Sequence, residues 1–450
     1  MVTLIDPGRL DPAGLFFIDE WKNTANGVIF GQGLISHQHQ GQWWQYAAWY
    51  GSNRKVKVAR KDPTGVWETV TLDIPIPTND SHDSIALGIS TLDGRLHLAA
   101  GGHNEPIKYT RIGLLDPWTV ANWSTPSDTL AGTTIGDTTY PTFTSLPNGG
   151  LLFWYRNGGS SNGRLRLARY DGETWTVAGD VTSSTGTYTA TFKSPPNTSA
   201  TRGFYWVPPL YSDGKVHLIG TWREGDPDVV LVPYAGVIAN HHAVYVYSED
   251  DGLTWRNNNG TLVATTGSDP ISVADVNTLV DNATDTRYGL QVPTMATGPN
   301  GLIGYLPDYV RGSNVGSDGA VSSETERVQK TGQHPRFRSP ITGAWTARTV
   351  SVNGTDVLCQ YPTGRAGRGQ MVFGPDSTMY VFYTGFRVYS APPPNYNNWT
   401  LRFWGPDYLN AFGEAQIDRS REAEGRVSFL YIEEGAGSTA AVCVRDFILD

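Results

Sequence analysis

Residues 242–256 read HAVYVYSEDDGLTWR and carry the clearest indication of the fold class. The alternating apolar residues up to Tyr247 predict a β-strand, and the eight residues from Ser248 to Trp255 then fit the Asp-box pattern S-x-D-x-G-x-T-W. In such a hairpin turn the Asp and Ser side chains tie the loop together and the Trp packs beneath it. The motif therefore predicts a structural β-hairpin, and by itself it indicates an architecture and no reaction.

The same order of elements, a strand followed by a turn and then a tryptophan, recurs along the chain. The marker residues are Trp67, Trp123, Trp175, Trp255, Trp345 and Trp399, with successive separations of 56, 52, 80, 90 and 54 residues. Repeats of about 40 to 55 residues with four short strands each, lengthened in places by insertions, are typical of a β-propeller. Six marked units and the two chain ends predict an all-β fold, a seven-bladed β-propeller of four-stranded antiparallel blades.

The two ends of the chain are expected to share one blade. The predicted C-terminal strands at 426–434 and 440–449 would be completed by an N-terminal strand such as residues 14–21, GLFFIDEW, which closes the ring. The first complete blade is expected at residues 28–75. We therefore predict a single propeller domain over residues 1–450, with no linker.

Composition supports strands and limits the partners. The 51 Gly and 28 Pro argue against a helical protein, and 15 Trp, 22 Tyr and 15 Phe favour short strands with aromatic packing. The formal charge of −9 argues against nucleic acid and an anionic membrane surface as partners. No apolar run approaches the roughly 18 to 20 residues of a membrane span. An anionic ligand would have to be met by a local cluster of Arg or His.

The start of the chain lacks the pattern of a signal peptide, whereas seven N-glycosylation sequons suit a secreted protein. They lie at Asn79, Asn122, Asn197, Asn259, Asn282, Asn353 and Asn398. We expect an extracellular, monomeric protein whose leader is absent from this sequence. Cys359 and Cys443 allow one disulfide, but two cysteines are too few for a disulfide framework or a zinc site of cysteines alone.

Polar residues cluster where two predicted hairpins begin and end. His82 precedes one strand and His103 follows the next, 21 residues later, so a hairpin returns both imidazoles to one face. Tyr140 and Arg156 have the same relation at a spacing of 16 residues, and Asn157 follows directly. Each has an ordinary alternative, namely a loop histidine, a packed tyrosine ring or a structural ion pair. The repeated spacing favours a shared functional opening.

Four runs carry a family resemblance: SHDSIALGISTLDGRLHLAAGGHNEPIKYTR (81–111), TTYPTFTSLPNGGLLFWYRNGGSSNG (138–163), HLIGTWREGDP (217–227) and ANHHAVYVYSEDDGLTW (239–255). In these runs the sequence resembles the neuraminidase-repeat-like polysaccharide lyases, which comprise ulvan lyases and the related rhamnosyl-glucuronate lyases. The resemblance covers about residues 43–256. It implies a seven-bladed propeller enzyme, a carbon-oxygen lyase that cleaves a bond 4-linked to a uronic acid by β-elimination and leaves an unsaturated uronate.

The resemblance also implies catalytic roles. The C5 proton of a uronate is a very weak acid, so a cation must first neutralise the carboxylate, after which a base takes the proton and an acid protonates the leaving oxygen. By resemblance, Arg156 matches the neutralising residue with help from His82, while His103 and Tyr140 match the proton-handling pair. We favour His103 as base and Tyr140 as acid; one Tyr doing both remains open, and Asn157 is expected to bind substrate.

Further substrate contacts are implied at Tyr205, Arg223 and His241. The family usually has an acidic residue directly after the last of these, and His242 stands there instead, which puts a metal role in doubt. His37 and His39 alternate on a predicted strand, but no third ligand is evident. The chemistry requires no cofactor, and although some relatives carry a structural calcium or zinc ion, the metal ligands here are unknown.

The predicted substrate is a glucuronate-containing polysaccharide. We expect cleavage of a rhamnosyl-(1,4)-glucuronate linkage, exo-acting on arabinogalactan or gum arabic side chains, with insertions at 182–202 and 264–290 that would block one end of the cleft. An endo-acting ulvan lyase is one alternative. A sialidase-like exoglycosidase is another, although it needs three Arg and a Tyr-Glu pair. A non-catalytic carbohydrate-binding propeller, which would need no converging His, Tyr and Arg, is the third.

Overall fold

A computed structural model describes residues 2–16, 25–28, 30–76, 78–190, 197–226, 240–275, 291–310, 331–357, 368–383, 385–405, 411–433, 435 and 437–449. Within these ranges the helical elements are the short 3-10 turns Ala25–Gly27, Val120–Asn122, Pro299–Gly301 and Glu422–Glu424. None of these turns has the length and hydropathy that a membrane-crossing helix needs. The remaining regular structure is β-strand.

The strands are numbered in chain order. The first are β1 (Thr3–Leu15), β2 (Leu34–His39), β3 (Gln42–Tyr50), β4 (Lys55–Lys61), β5 (Trp67–Pro75), β6 (Ile85–Ser90), β7 (Arg95–Ala100), β8 (His103–Glu105), β9 (Lys108–Gly113), β10 (Thr138–Ser145), β11 (Leu151–Asn157), β12 (Arg164–Tyr170) and β13 (Trp175–Asp180). Next come β14 (Thr185–Ala190), β15 (Asn197–Trp206), β16 (Leu210–Ser212), β17 (Lys215–Glu224), β18 (Asn240–Ser248), β19 (Thr254–Arg256), β20 (Leu262–Thr265), β21 (Gln291–Gly298) and β22 (Leu302–Val310). The last are β23 (Thr331–Gln333), β24 (Arg336–Arg338), β25 (Trp345–Ala347), β26 (Ser351–Val352), β27 (Thr355–Asp356), β28 (Gln370–Phe373), β29 (Met379–Tyr383), β30 (Arg387–Ala391), β31 (Thr400–Phe403), β32 (Ala411–Asp418), β33 (Arg426–Glu433) and β34 (Thr439–Ile448).

These strands form antiparallel sheets in which chain neighbours are usually sheet neighbours. Four-stranded sheets have the orders β2-β3-β4-β5, β28-β29-β30-β31 and β1-β34-β33-β32. The other sheets have the orders β6-β7-β9, β13-β12-β11-β10-β8, β14-β15-β17-β18-β19-β20 with β16 on β17, β21-β22-β24-β25 with β23 on β22, and β26-β27. The fold is an all-β propeller of four-stranded antiparallel blades, as the sequence predicts.

The Asp box forms the expected tied turn between β18 and β19. Ser248 Oγ donates to Asp250 Oδ1 at 2.7 Å, and the same carboxylate oxygen accepts the backbone N–H of Thr254 at 2.8 Å. The indole of Trp255 is fully buried and its Nε1–H donates to Thr266 Oγ1 at 3.0 Å. The motif therefore has the structural role that its sequence predicts.

Three of the six marker tryptophans lie at the start of an edge strand. Trp67, Trp175 and Trp345 are the first residues of β5, β13 and β25, each of which lies at one end of its sheet order. Trp255 is the middle residue of β19, and Trp399 directly precedes β31. Trp175 is buried, and its Nε1–H donates to Tyr109 Oη at 3.2 Å. At these three positions the tryptophan repeat marks the start of the outer strand of a sheet.

The N-terminal strand that completes the C-terminal sheet differs from the one predicted. Strand β1 pairs with β34 from Thr3 opposite Ile448 to Leu15 opposite Thr439. The observed strand thus begins and ends before most of the predicted segment 14–21, whose residues 17–21 lie outside the described ranges. Its register shifts three times, which accommodates Pro7 and Pro12 in an edge strand, where a missing N–H costs least.

The described chain divides into two compact units. Unit 1 comprises Met1–Asn157, Ala168–Val177 and Gly405–Asp450, and unit 2 comprises Gly158–Leu167 and Ala178–Trp404. The single-domain assignment stays a prediction. Cys359 lies outside the described residues, so its disulfide with the buried Cys443 also stays a prediction.

Candidate active site

Strand pairing in unit 1 places the four predicted catalytic residues beside one another. His82 lies in the turn before β6, and His103 is the first residue of β8. In strand β10, which lies between β8 and β11, Thr139 is opposite both His103 on β8 and Arg156 on β11. Tyr140 follows directly, so the tyrosine stands between the strands that carry a histidine and the arginine.

Tyr140 has an unusual backbone conformation. Its φ is +56°, in the left-handed region that aromatic residues rarely adopt, and it precedes Pro141. The register of β10 against β11 shifts between Thr139 and Thr142, which is a β-bulge around the tyrosine. Bulges of this kind redirect a side chain, and such strain persists where the surrounding structure holds it. The bulge aims Tyr140 out of the regular alternation of the strand.

The side chains of this group are in direct contact. The rings of His82 and His103 stack with centroids 4.1 Å apart and planes at 14°. The ring of Tyr140 lies 5.6 Å from that of His82 and 4.3 Å from that of Phe30, on which it stacks. The guanidinium carbon of Arg156 lies 5.0 Å from the centre of the Tyr140 ring. The structure therefore brings all four sequence-predicted residues together and adds Phe30 to them.

Asp80 is a member of this group that the sequence reasoning missed. Its Oδ2 accepts a hydrogen bond from His103 Nδ1 at 2.5 Å. Its Oδ1 accepts the backbone N–H of His82 at 2.9 Å and also contacts Nδ1 of that ring. The available signal was the Asp-Ser-His run at 80–82, but nothing in the sequence shows that the carboxylate also reaches a histidine 23 residues later.

The Asp80 carboxylate is held in its ionised form. Burial opposes ionisation, but the hydrogen bonds from His103 and His82 outweigh it and lower the pKa of Asp80 well below its usual range. An ionised carboxylate can only accept hydrogen bonds. Both imidazoles must therefore donate from Nδ1. The Nε2 atom of each ring takes no part in the contact with Asp80.

Asp83, three residues on, is a carboxyl group with the opposite character. It is 1% exposed, and burial together with the charges of Asp80 and Glu105 raises its pKa to about 6, against the effect of a hydrogen bond from Thr78. Thr78 Oγ1 donates to Asp83 Oδ2 at 3.0 Å. The site therefore has one carboxylate that stays charged and a buried neighbour that takes up a proton near neutral pH.

Arg156 and Asn157 end strand β11 with different surroundings. Arg156 is 1% exposed, so its positive charge lies below the surface, next to the Tyr140 ring. The side-chain amide of Asn157 is more accessible and donates to the backbone carbonyl of Asp137 at 2.9 Å. That bond ties the end of β11 to the segment before β10.

Asp80, His82 and His103 are also the group, within the described ranges, whose donor atoms are close enough to hold a metal ion, all within 4.8 Å of one another. Their arrangement fits hydrogen bonding better, because each Nδ1 is directed at its own carboxylate oxygen. His37 and His39 on β2 belong to no such group among the described residues. The predicted structural calcium or zinc ion stays a prediction.

Two of the predicted substrate contacts form a group within unit 2. Arg223 Nη1 donates to Tyr205 Oη at 2.8 Å, and its guanidinium carbon lies 4.0 Å from the centre of that ring. Its Nε donates to Asn240 Oδ1 at 3.0 Å. Both Tyr205 and Arg223 are half-buried, so the guanidinium is held in a fixed plane at a partly accessible position.

His241 has a different environment from the one expected of a substrate contact. Its ring is fully buried, stacks on Tyr188 at 4.1 Å, and contacts Glu224 Oε1 through Nε2 at 2.6 Å. Arg202 Nε donates to the same Glu224 oxygen at 2.8 Å. Burial raises the pKa of Glu224, but the bonds from His241 and Arg202 outweigh it and lower that pKa overall. Substrate contact by His241 stays a prediction.

Comparison with known proteins agrees with this architecture. Residues 44–351 match a protein family described as BNR repeat-containing family members. No curated protein sequence matches the chain. The neuraminidase-repeat type expected from the sequence is thereby confirmed at the level of the family.

Two solved structures have the same fold over nearly their whole length. The polysaccharide lyase Uly1 is 16% identical, with a TM-score of 0.67 over 100% of this chain and 99% of that one. A PL25 ulvan lyase bound to GlcA(1-4)Rha3S is 13% identical, with a TM-score of 0.66 over 98% of this chain and 95% of that one. At these identities the likeness concerns the fold.

Proposed function

The chain belongs to the family of BNR repeat-containing proteins, and we propose that it is a polysaccharide lyase that cleaves a glucuronate-containing glycan by β-elimination. The observation that carries this proposal is the contact group of Asp80, His82, His103, Tyr140 and Arg156 in unit 1. It combines a buried cation with two groups able to transfer protons. The likeness in fold to two polysaccharide lyases supports the same reaction class.

The proposed reaction uses each residue for one step. The guanidinium of Arg156 neutralises the uronate carboxylate, which stabilises the negative charge that develops when C5 loses its proton. His103 Nε2 takes that proton, and the electron pair forms the C4=C5 double bond. The C4–O bond breaks, and the Tyr140 hydroxyl gives its proton to the departing oxygen. The products are an unsaturated uronate and a glycan end with a free hydroxyl.

His82 has a supporting role in this scheme. Its ring stacks on His103 and lies next to Tyr140, so it borders both proton-transfer groups. We assign it to the uronate carboxylate together with Arg156, as an imidazolium that donates from Nδ1 to Asp80 and from Nε2 to the substrate. Asn157, Tyr205, Arg223 and His241 remain proposed substrate contacts, of which the held guanidinium of Arg223 has the geometry that best suits an anionic sugar.

For the substrate we propose a rhamnosyl-(1,4)-glucuronate linkage in the side chains of arabinogalactan or gum arabic, cleaved from the chain end. The second candidate is endo cleavage of ulvan, favoured by the fold match to a lyase bound to GlcA(1-4)Rha3S. We further propose seven blades, a monomer and secretion. The blade number is supported by the seven sheets of three or more strands that the described residues form.

The proposal is tested by incubating the protein with gum arabic and, separately, with ulvan while ultraviolet absorbance of an unsaturated uronate is followed. A lyase raises the absorbance, a sialidase-like hydrolase releases sugar without it, and a carbohydrate-binding propeller does neither. Tyr140→Phe removes the proposed acid and is expected to lower kcat by about 10²- to 10⁴-fold. The matched control is Tyr211→Phe on β16, which should leave the rate unchanged.

No absorbance increase with either glycan, together with release of reducing sugar, would replace the lyase by a hydrolase. An active enzyme whose Tyr140→Phe variant keeps its full rate would remove Tyr140 from the chemistry.

A further inference from the structure

We propose that Asp80 is a positioning residue that holds a proton on Nδ1 of both His82 and His103, so that His103 Nε2 is available as the proton acceptor and His82 Nε2 is left for the substrate. The catalytic consequence rests on the proposed lyase function, whereas the tautomer assignment does not. One carboxylate thus prepares two imidazoles that come from different ends of a hairpin.

The geometry of the carboxylate carries the first step. Each oxygen faces one ring: Oδ2 accepts from His103 Nδ1 at 2.5 Å, and Oδ1 contacts His82 Nδ1. An ionised carboxylate has no proton to donate, so each Nδ1 in contact with it must carry one. The nearly parallel stacking of the rings, at 4.1 Å and 14°, follows from their attachment to the two oxygens of one planar group.

The backbone around Asp80 keeps this bridge in place. The N–H of His82 donates to Asp80 Oδ1 at 2.9 Å, the N–H of Asp83 to the Asp80 carbonyl at 3.3 Å, and the N–H of Ser84 to the His82 carbonyl at 2.8 Å. The turn is therefore a hydrogen-bonded unit. Because the aspartate side chain is short and its turn is held by these hydrogen bonds, the position of the carboxylate between the two rings is fixed.

The His103 side is equally constrained. His103 is opposite Thr139 in the pairing of β8 with β10, and the N–H of the next residue, Asn104, donates to Thr139 Oγ1 at 3.0 Å. The ring is thus fixed at its backbone by β10 and at Nδ1 by Asp80. Its remaining freedom is the protonation of Nε2, which is what a general base requires.

The carboxylate also suits the charge that forms during the reaction. When His103 Nε2 takes the C5 proton the ring becomes an imidazolium, and the ionised Asp80 at 2.5 Å from Nδ1 stabilises it. The same logic applies to carboxylate–histidine pairs in general, where replacing the carboxylate by an amide leaves the geometry intact but imposes the wrong tautomer. Asp80 differs in serving two rings with one group.

Asp80→Asn gives a specific test, because an amide keeps one acceptor oxygen and replaces the other by an NH₂ donor. Oδ1 holds two donors from His82, so the oxygen is expected to stay there and the NH₂ to face His103 Nδ1. His103 must then accept at Nδ1 and carry its proton on Nε2. The lone pair that would act on the substrate is lost, while His82 keeps its proton on Nδ1.

The readout is ¹⁵N NMR of the imidazoles in the full chain, with His82→Gln and His103→Gln used to assign the two rings. We expect both rings protonated at Nδ1 in the wild type and His103 alone to carry its proton on Nε2 instead of Nδ1 in Asp80→Asn. With a glycan that the wild type cleaves, kcat of Asp80→Asn should fall about 10²- to 10⁴-fold, and KM should change less than about threefold. The matched control is Asp73→Asn, which removes an exposed carboxylate of the same unit.

The outcomes separate the two claims. If the tautomers behave as expected but no glycan is cleaved, the positioning role stands and the lyase proposal fails. If either wild-type ring lacks a proton on Nδ1, the positioning role is overturned, and this measurement does not depend on the folding of any variant. A fall in kcat without a tautomer change would also overturn it, because the effect would then be a structural one.

Discussion

At the residue scale, Tyr140 shows how backbone strain marks the candidate site. A left-handed φ at an aromatic residue costs on the order of 1–3 kcal/mol, and it persists here because β8 and β11 pair with β10 on both sides. This conformation places the Tyr140 ring against His82 and Arg156 instead of along the regular face of the strand.

Asp83 gives a residue-scale prediction that is independent of activity. Its carboxyl has a pKa of about 6 in the folded chain and 3.8 as the ordinary value, so folding favours the protonated form. Stability from this group is fully present below about pH 4 and is lost as pH rises through about 6. Asp83→Asn has no carboxyl group to ionise and avoids that loss. The free energy of unfolding of the variant minus that of the wild type should therefore rise by about 2–3 kcal/mol between pH 4 and pH 8.

The measurement is urea unfolding of the wild type and of Asp83→Asn at both pH values. Asp128→Asn, which removes an exposed carboxylate, serves as the control and should show no such change with pH. A difference between wild type and Asp83→Asn that is the same at pH 4 and pH 8 would contradict a raised pKa at Asp83.

Residues differ in how far the sequence could predict them. His82, His103, Tyr140 and Arg156 follow from hairpin spacing together with the family resemblance, because both hairpins return to their starting face. Asp80 could not be predicted, since its second partner is 23 residues away and the contact depends on the turn before β6 meeting the start of β8. Phe30 could not be predicted either, because its stacking on Tyr140 joins segments 110 residues apart.

At the element scale, Gly102 controls how β8 approaches β10. Its φ is +94°, and a Cβ built there would lie 2.7 Å from the backbone carbonyl oxygen of Thr138. Gly65 has a φ of +95° and nothing within 4 Å of its would-be Cβ. The two glycines therefore share the backbone conformation and differ in available space, which makes them a matched pair.

Gly102→Ala is expected to lower the free energy of unfolding by about 1–3 kcal/mol more than Gly65→Ala, because only the former pushes two backbones apart. It should also lower lyase activity, since His103 is the next residue and moves with β8. Thermal unfolding and initial rates of both variants check this. Equal destabilisation by the two substitutions would show that β8 does not need its close approach to β10.

Elements with a strong pattern were predictable, and those with interrupted patterns were not. The Asp box and the first four-stranded sheet at 34–75 match the predicted hairpin and the predicted blade at 28–75. Strand β1 was misplaced, because its prolines and glycines break the alternation on which strand prediction depends. Pairing with the long regular strand β34, together with three register shifts, overrides those local signals.

At the whole-molecule scale, an acidic protein is proposed to act on an acidic sugar. The formal charge of −9 disfavours attraction of a polyuronate to the surface at large. The buried guanidinium of Arg156 supplies a local positive charge at the contact group, where burial strengthens it. The net charge of the protein therefore affects how the glycan first meets the surface, whereas the charge of Arg156 affects how the uronate is bound at the site.

Joining the two chain ends in one sheet predicts a strong effect of removing β1. Asp11 on β1 accepts hydrogen bonds from Trp49 Nε1 at 2.9 Å and from Lys57 Nζ at 2.7 Å, and Leu15 is buried. Deletion of residues 3–15 should lower the free energy of unfolding by on the order of 3–5 kcal/mol and promote aggregation through the exposed edge of β34.

Thermal unfolding and light scattering measure this effect. Arg9→Ala, which removes only the exposed ion pair with Glu433, is the control and should cost less than about 1 kcal/mol. A truncated chain that unfolds at the wild-type temperature and stays monomeric would contradict the stabilising role of β1.

The central claim is that this chain breaks a glycosidic bond without water. It is tested most directly by digesting gum arabic or ulvan in H₂¹⁸O and determining the masses of both fragments, before the oxygen at a new reducing end exchanges with the solvent. Elimination predicts a uronate end that is lighter than the hydrolysed end by one water, and a leaving sugar that contains no ¹⁸O from the cleavage. Products that carry one ¹⁸O per bond cleaved, with no unsaturated end, would contradict the account.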